Sequence, residues 1–267
     1  MITKKTALIT GASAGIGRAY AEQLAALGYD LVVTARREER LRELATTLSD
    51  RHRTHVRILA CDLADPGSPA HLFEQTHREG IAIDYLVNNA GYGLPGAYAV
   101  TRWQDQRDFL NVMVHAVAEL THRFLPPMVE RGQGRIVNVA SLAGLLPGSR
   151  GNTLYSAVKA FMIKMSESLA LELAGSDVNV TAVCPGFTYS EFHDVSGTRD
   201  KVSKLPKMMW MGADEVVRES IAAAERGDAV FVNGRVNRAL SSFVRLLPPS
   251  VALGMMGRSS SRFRRDP

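Results

Sequence analysis

A tyrosine and a lysine four residues apart are the side chains of this 267-residue sequence best placed to move a proton. Tyr155 and Lys159 begin an apolar stretch, residues 155–173, whose spacing predicts a helix, so the two side chains share one face. A tyrosine with its ordinary pKa of about 10 is a poor base at neutral pH, and a nearby ammonium group lowers that pKa. The protonated phenol can in turn donate a proton to a carbonyl oxygen. The pair therefore indicates acid–base chemistry at an oxygen atom.

Ser141 is a second candidate for the same chemistry. It follows a β-branched run, residues 134–140, that predicts a strand. Ligands of open α/β sheets bind at the carboxyl ends of the strands, which is where Ser141 is expected. Its hydroxyl can hydrogen-bond a carbonyl oxygen and polarise it. A chance Tyr-x-x-x-Lys is common on amphipathic helices, but its coincidence with Ser141 and with the glycine turn described next makes chance improbable.

The glycine turn, residues 10–17, has the spacing G-x-x-x-G-x-G between a predicted strand and a predicted helix. Glycines allow a tight turn and let the backbone approach a pyrophosphate closely, and the helix N-terminus presents free N–H groups to it. An ordinary glycine-rich turn is the alternative interpretation. The strand before the turn and the helix after it favour dinucleotide binding.

Short β-branched runs alternate with longer helical patterns along most of the chain. The runs predict strands at residues 7–9, 31–34, 56–61, 83–87, 134–140, 178–183 and 229–232, with helices between them at 15–27, 38–50, 70–79, 103–131, 155–173 and 213–226. Pro126 and Pro127 are expected to break the fourth helix. The alternation predicts an α/β fold, a Rossmann-like, doubly wound, seven-stranded parallel sheet with helices on both faces.

Residues 1–234 are expected to form one domain, because no linker divides the pattern. Residues 187–212 lack clear periodicity and are expected to form a lid. Residues 235–267 form a C-terminal extension that is basic and partly apolar. Seven arginines and one aspartate give this extension a charge of +6, against +5 for the whole chain, so the rest of the chain is close to neutral. No basic helix with interleaved aromatic residues occurs, so no nucleic-acid partner is expected.

Composition excludes several other classes of protein. Apolar residues make up 46% and charged residues 22% of the chain, which is typical of a globular protein and not of a disordered or fibrous one. Cys61 and Cys184 are too few for a disulfide framework or a zinc site, so no metal is expected and both are interpreted as packing residues. Neither a signal-peptide pattern nor a run of 18 apolar residues occurs, and we expect a cytoplasmic location.

Five motifs in register resemble the short-chain dehydrogenase/reductase family over residues 5–234. They are the glycine turn, Asn88-Asn89-Ala90-Gly91, Ser141, Tyr155-x-x-x-Lys159 and Pro185-Gly186. The resemblance is to the single-domain form of the family, with ketoacyl reductases and hydroxysteroid dehydrogenases most similar in pattern. It implies an oxidoreductase that interconverts a ketone and a secondary alcohol, and a homodimer or homotetramer. By the same resemblance, Tyr155 is the general acid/base, Lys159 lowers its pKa and holds the ribose, and Ser141 polarises the carbonyl.

The resemblance also implies a set of cofactor-binding residues. They are Gly11, Ser13, Ala14, Gly15, Ile16, Gly17, Arg36, Asp62, Leu63, Asn89, Ala90, Gly91, Tyr155, Lys159, Pro185, Gly186, Thr188 and Ser190. Ala35 stands where NAD-binding members have an acidic residue, and the guanidinium of Arg36 suits a 2′-phosphate, so NADP(H) is favoured. Two observations argue against a preference for NADP(H). Arg36, Arg37, Arg40 and Arg42 could be the solvated face of a helix, and Ala14 stands where many NADP-preferring relatives have a basic residue.

Two departures from the family pattern bear on catalysis. Ser141 and Tyr155 are 14 positions apart, one more than usual, and the glycine- and proline-containing loop between them can absorb the extra residue. Met113 stands where relatives have an asparagine that holds a water linked to the lysine. Asn111 is a candidate for that role only if a π-bulge re-aims it, because two positions turn a helix by about 200°. An NADP-binding sensor or scaffold with weak or lost turnover is therefore the alternative function.

Apolar side chains are frequent in the loops expected over the site. They are Leu94, Leu145, Leu146, Phe187, Phe192, Met208, Met209, Trp210 and Met211, and they suit a lipophilic substrate unless they only bury the lid itself. His193 and Asp194, also in the lid, are expected to be structural or solvated. The C-terminal extension could dock on an acidic membrane surface. Packing on a neighbouring subunit or on the lid is the alternative, and the sequence favours it slightly.

Overall fold

A parallel sheet of seven strands forms the centre of the computed structural model, which describes residues 4–192 and 206–260. Its strands are β1 (Thr6–Thr10), β2 (Asp30–Thr34), β3 (Val56–Ile58), β4 (Tyr85–Asn88), β5 (Gly134–Val139), β6 (Val178–Cys184) and β9 (Val230–Val232). They lie in the order β3-β2-β1-β4-β5-β6-β9, and every neighbouring pair is parallel. The predicted doubly wound, Rossmann-like sheet is confirmed.

Helices cover both faces of this sheet, because its strands are apolar on both sides. They are α1 (Gly15–Ala26), α2 (Glu38–His52), α3 (Ser68–Arg78), α4 (Trp103–Leu110), α5 (Ala116–Glu130), α6 (Thr153–Glu172) and α7 (Ala213–Arg226). One buried cluster includes Leu72, Leu120 and Met162 from α3, α5 and α6. A second cluster, on the opposite face, includes Leu24 and Val217 from α1 and α7. The core is thus two apolar layers separated by the sheet.

The fourth predicted helix is interrupted, but not at its prolines. A π-helical segment, Asn111–His115, separates α4 from α5, and Pro126 and Pro127 lie inside α5, which continues to Glu130. The expected break at the prolines is wrong. Phe124 and Met128, on either side of them, are buried in the core, and this packing outweighs the loss of two amide donors near the end of the helix.

Two short strands and two further helices complete the described structure. β7 (Phe187–Tyr189) and β8 (Trp210–Gly212) pair in parallel as a separate small sheet, and α8 (Arg235–Leu246) and α9 (Pro249–Ser260) form the described part of the C-terminal extension. The sequence predicted neither short strand. Residues 193–205 of the lid, with His193 and Asp194, and residues 261–267 lie outside the described residues. Among the helices described, none has the length and apolar content needed to cross a bilayer.

Candidate functional site

Ser141 and Tyr155 meet where β5 ends and α6 begins. Ser141 lies two residues after the buried end of β5, and its hydroxyl oxygen accepts a hydrogen bond from the backbone N–H of Ala143 at 3.2 Å. Tyr155 lies in the first turn of α6. Burial raises the pKa of Tyr155, and its hydrogen bond with Ser141 opposes that rise. The structure therefore keeps the phenol protonated and next to the serine hydroxyl.

Lys159 lies one helical turn further along α6 and is almost fully buried. Its Nζ donates a hydrogen bond to the backbone carbonyl of Val139 at 2.6 Å and lies 5.8 Å from the centre of the Tyr155 ring. Burial lowers the pKa of Lys159 to about 7. Burial opposes the charged form of both groups, and the lowering of the Tyr155 pKa by Lys159 stays a prediction.

A buried network of polar side chains fastens α6 to the sheet. The amide of Asn88 donates to the Oδ1 of Asn138 at 2.9 Å and to the hydroxyl of Thr121 at 3.1 Å, and the amide of Asn138 donates to the hydroxyl of Ser166 at 2.9 Å. All four residues are buried. They join the carboxyl ends of β4 and β5 to α5 and α6. The sequence analysis missed Asn138, although an asparagine among the apolar residues at the end of a strand was a usable signal.

The glycine turn is held against the end of β4. Gly11 and Gly15 have φ of +68° and +56°, in the left-handed region that favours glycine. The amide of Asn89 donates to the carbonyl oxygens of Thr10 at 2.8 Å and Gly11 at 3.3 Å. A Cβ at Gly17 would collide with that same amide. Close contact with Asn89 thus requires glycine at position 17, and the turn geometry favours glycine at positions 11 and 15.

The first backbone N–H groups of α1 lie at this turn. Its N-cap residue is Ala14, and no side chain caps the helix. The first N–H groups of an α-helix lack partners within the helix, so uncapped ones beside a glycine-rich turn suit a phosphate. This arrangement fits a dinucleotide pyrophosphate.

One cleft, a cavity of about 890 Å³, connects these features. Every predicted catalytic or cofactor-binding residue lines it except Gly17 and Asn111. The side chain of Asn111 instead donates to the carbonyl of Ala64 at 2.9 Å, in the loop after β3. The catalytic role of Asn111 depended on a π-bulge, and a π-helical segment is present. It does not bring the side chain of Asn111 to the cleft. The structure therefore assigns this side chain to holding the loop, and not to the predicted catalytic role.

Met113 is fully buried beneath the turn that follows β4. A Cβ added to Gly91 would lie 2.7 Å from its sulfur. The methionine thus supports the floor of the cleft by packing.

Arginines gather at the end of the cleft that follows β2. Arg36 lines the cleft. Arg37 donates to the hydroxyl of Ser13 at 3.1 Å, and both Arg37 and Arg40 pair with the carboxylate of Glu191, at 2.9 and 2.7 Å. These pairs lower the pKa of Glu191. Arg37 and Arg40 are both exposed, as a solvated face predicts, but each also binds Glu191 of the lid.

Arg42 also fits the solvated interpretation. Arg42 pairs with Glu38, one turn away on α2, and its side chain is 70% exposed. The contacts that set Arg37 and Arg40 apart come from the glycine turn and the lid, which are remote in sequence.

The wall of the cleft beside Tyr155 is apolar. Of the nine apolar residues predicted over the site, Leu146, Phe187, Phe192 and Met209 line it, and the rings of Phe192 and Tyr155 lie 5.8 Å apart. The other five pack elsewhere or face solvent: Leu94, Leu145, Met208, Trp210 and Met211. The sequence analysis missed Asn237, Leu240 and Met256, which belong to the C-terminal extension and also line the cleft.

Known proteins are similar to this chain over most of its length. The family model described as short chain dehydrogenase matches residues 5–200. Ketoacyl reductase HetN of Nostoc sp. is 31% identical over 259 residues, which are 97% of this chain and 87% of that protein.

Solved structures agree in fold as well. A 7beta-hydroxysteroid dehydrogenase structure has a TM-score of 0.85 at 25% identity, covering 94% of this chain and 96% of that one. A short-chain dehydrogenase from Sphingobium yanoikuyae in complex with NADPH has a TM-score of 0.78 at 32% identity, covering 91% and 96%. One from Burkholderia phymatum in complex with NAD has a TM-score of 0.80 at 26% identity, covering 91% and 93%. The chain is thus a member of the short-chain dehydrogenase family, an oxidoreductase acting on CH–OH groups.

Proposed function

We propose that the chain is an NADP(H)-dependent oxidoreductase that interconverts a lipophilic or acyl ketone and a secondary alcohol, in a single catalytic domain of residues 1–234. The observation that carries the proposal is the convergence of Ser141, Tyr155 and Lys159 on the cleft that the glycine turn also lines. A protein without turnover has no physical need for all three side chains there.

Tyr155 and Ser141 would act on the carbonyl oxygen of the substrate. The cofactor, when bound, supplies the hydride. Tyr155 carries its proton at neutral pH, because burial raises its pKa, and can donate that proton to the carbonyl oxygen of the substrate. The hydroxyl of Ser141 can hold the same oxygen.

The residues around the cleft support binding of a dinucleotide with a 2′-phosphate. The glycine turn and the N-terminus of α1 would hold the pyrophosphate, and Lys159 would hold the nicotinamide ribose. Arg36 and Arg37 would meet the 2′-phosphate, which a guanidinium binds through charge-assisted hydrogen bonds. No carboxylate stands at position 35 to select the free 2′-hydroxyl. These features support NADP(H) over NAD(H).

The apolar wall supports a lipophilic substrate. Leu146, Phe192 and Met209 come from the loops, and Leu240 and Met256 come from the C-terminal extension. An acyl chain or another hydrocarbon group could bury against them, while the reacting carbonyl lies at Tyr155.

The proposal includes an oligomeric state and a cellular location. A homodimer or homotetramer is supported by exposed apolar residues on α5 and α6, Val129 and Leu171. A cytoplasmic location is supported by the two free cysteines, Cys61 and Cys184.

A sensor or scaffold that binds NADP without turnover is the second candidate. Met113, buried at the place where relatives have an asparagine, favours it. The two candidates share cofactor binding and differ only in catalysis.

A thermal-shift titration with NADPH and NADH, followed by NADPH oxidation against acyl 3-ketones, steroids and short diketones, tests both candidates. We expect selective stabilisation by NADPH and turnover with at least one lipophilic ketone. Stabilisation without turnover on any ketone would favour the sensor. The absence of stabilisation by either nucleotide would contradict both.

A further inference from the structure

Residues 145–152 form a loop that leads from the turn after Ser141 into α6, the helix that carries Tyr155. The segment between these two side chains has one residue more than the family pattern. Most of the loop lines the cleft, and its lining residues are Leu146, Pro147, Ser149, Arg150, Gly151 and Asn152. Arg150 is the charged residue of the loop. The loop therefore brings a guanidinium group to the wall of the cleft next to α6.

Backbone contacts hold this loop in place at both ends. Just before its start, a Cβ at Gly144 would lie 2.6 Å from the backbone carbonyl carbon of Lys159, so the chain packs closely on α6 there. Near its end, the carbonyl oxygen of Gly151 accepts a hydrogen bond from the backbone N–H of Gly96 at 2.9 Å. Arg150 directly precedes Gly151. The backbone that carries the guanidinium is thus fixed, although Arg150 itself is exposed.

The acidic residues of the cleft have partners other than Arg150. In the described part of the chain, those that line the cleft are Asp62, Asp108 and Glu191. Glu191 pairs with two arginines that follow β2. Asp62 accepts a backbone hydrogen bond at 3.0 Å, and Asp108 accepts one from a glutamine of α4 at 2.7 Å. Within residues 4–192 and 206–260, Arg150 has neither an ion-pair nor a hydrogen-bond partner.

The position of Arg150 separates it from the groups proposed to bind the phosphates of the cofactor. Arg36 follows β2 and the glycine turn follows β1, whereas Arg150 follows β5. Two strands, β1 and β4, lie between β2 and β5, so these two strands are about 14 Å apart at the usual spacing. Arg150 instead lies three residues before α6, whose first turn carries Tyr155. An anion that binds Arg150 is therefore expected to belong to the substrate.

A guanidinium group without a carboxylate partner suits an organic anion, because it forms charge-assisted hydrogen bonds with carboxylates and phosphates. The cleft also has an apolar wall, at Leu240 and Met256, that suits a hydrocarbon chain. We propose that Arg150 is a specificity-determining residue and that the substrate is an acyl ketone with an anionic group, which Arg150 binds. This assignment rests on the proposed function and adds the charge of the substrate to it.

Binding of ketones to the chain loaded with NADP⁺ tests the proposal without turnover, because the oxidised cofactor has no hydride to deliver. Two pairs of ketones each compare a charged and a neutral form. They are 5-oxohexanoate with its methyl ester, and acetoacetyl-CoA with acetoacetyl-N-acetylcysteamine. The first pair tests a carboxylate and the second tests the phosphates of a thioester carrier. In isothermal titration calorimetry, we expect the wild type to bind the charged form of one pair about tenfold more tightly.

Variants of Arg150 test whether this residue causes the preference. Arg150→Gln should remove it, and Arg150→Lys should keep part of it, because lysine retains the charge. The guanidinium binds a part of the substrate that does not react, so Arg150→Gln should raise KM for the charged ketone about tenfold and leave kcat unchanged. Arg218→Gln is the matched control, since Arg218 is exposed on α7 and lies outside the lining residues of the cleft.

Three results would overturn the proposal. They are the absence of a charge preference in both pairs, a preference that Arg150→Gln retains, and a loss of NADP⁺ affinity in Arg150→Gln as large as its loss of ketone affinity. The last result would assign the guanidinium to the cofactor. A charge preference that depends on Arg150, without turnover of any ketone by NADPH, would support the anion site and contradict the proposed function instead.

Discussion

At the residue scale, burial shifts the pKa values of both members of the proposed catalytic pair, Tyr155 and Lys159. Burial disfavours charge, so it raises the pKa of Tyr155 and lowers the pKa of Lys159 to about 7. A neutral phenol is a proton donor, and a half-charged lysine can respond to a neighbouring negative charge. The sequence predicted that the two side chains share a face. It could not predict the pKa shifts, because these depend on burial by elements remote in sequence.

Replacing Lys159 by methionine should stabilise the protein in a pH-dependent way. A lysine whose folded pKa lies below its unfolded value of 10.5 binds fewer protons when folded, so wild-type stability is lowest below pH 7 and rises toward pH 10.5. We expect Lys159→Met to raise the free energy of unfolding by about 3 kcal/mol at pH 6 and by less than about 1 kcal/mol at pH 10.

Urea unfolding at both pH values measures this difference. Lys164→Met is the matched control, since Lys164 lies on the same helix but its side chain is 78% exposed. If Lys159→Met raised the free energy of unfolding equally at both pH values, burial of a charged lysine would not be the cause.

Glu191 should weaken the binding of NADP(H). Its carboxylate neutralises Arg37 and Arg40 at the place proposed for the 2′-phosphate. We expect Glu191→Gln to strengthen NADPH binding by about threefold to tenfold, the range given by one or two exposed ion pairs, and to leave NADH binding unchanged. Fluorescence titration measures both dissociation constants.

A change at an equivalent but remote ion pair is the control for Glu191. Glu38→Gln removes the partner of Arg42 and should change neither dissociation constant. An equal effect of Glu191→Gln on NADPH and NADH would show that the carboxylate does not compete with the 2′-phosphate.

At the scale of elements, the position of α6 relative to β5 decides whether the site forms. Ser141 follows the strand and Tyr155 lies on the helix, so their contact depends on the network of Asn88, Asn138 and Ser166. The strands and helices themselves could be predicted from periodicity. This network could not, because its members are 28 and 50 residues apart and meet only through the fold.

Asn138→Ala should reduce both stability and activity. It leaves the amide of Asn88 and the hydroxyl of Ser166 short of a buried partner, and we expect the free energy of unfolding to fall by about 2–3 kcal/mol. Turnover should fall as well, because α6 is less firmly held. Asn179→Ala removes a comparable strand-to-helix hydrogen bond, from β6 to the carbonyl of Ala224, and should cost stability alone. Equal turnover of the two variants would contradict the positioning role of the network.

At the scale of the whole molecule, the parallel sheet brings distant motifs to one edge. The glycine turn after β1, Asn89 after β4, Ser141 after β5 and Pro185 after β6 all follow carboxyl ends of strands that are neighbours in the sheet. Strand order was not evident from the sequence, but the parallel fold made the meeting of these motifs predictable. The C-terminal extension was predicted to lie outside the sheet, and its part in the cleft wall was missed, since helical periodicity does not say which element a helix packs on.

The central claim is that Tyr155 donates the proton to a ketone held beside NADPH. Steady-state reduction of an accepted ketone by the wild type and by Tyr155→Phe tests it most directly, with the NADPH dissociation constant measured in parallel. We predict that kcat falls by about 10²–10⁴-fold, the range typical of a lost general acid, while NADPH affinity changes little. Turnover retained by Tyr155→Phe would contradict the claim.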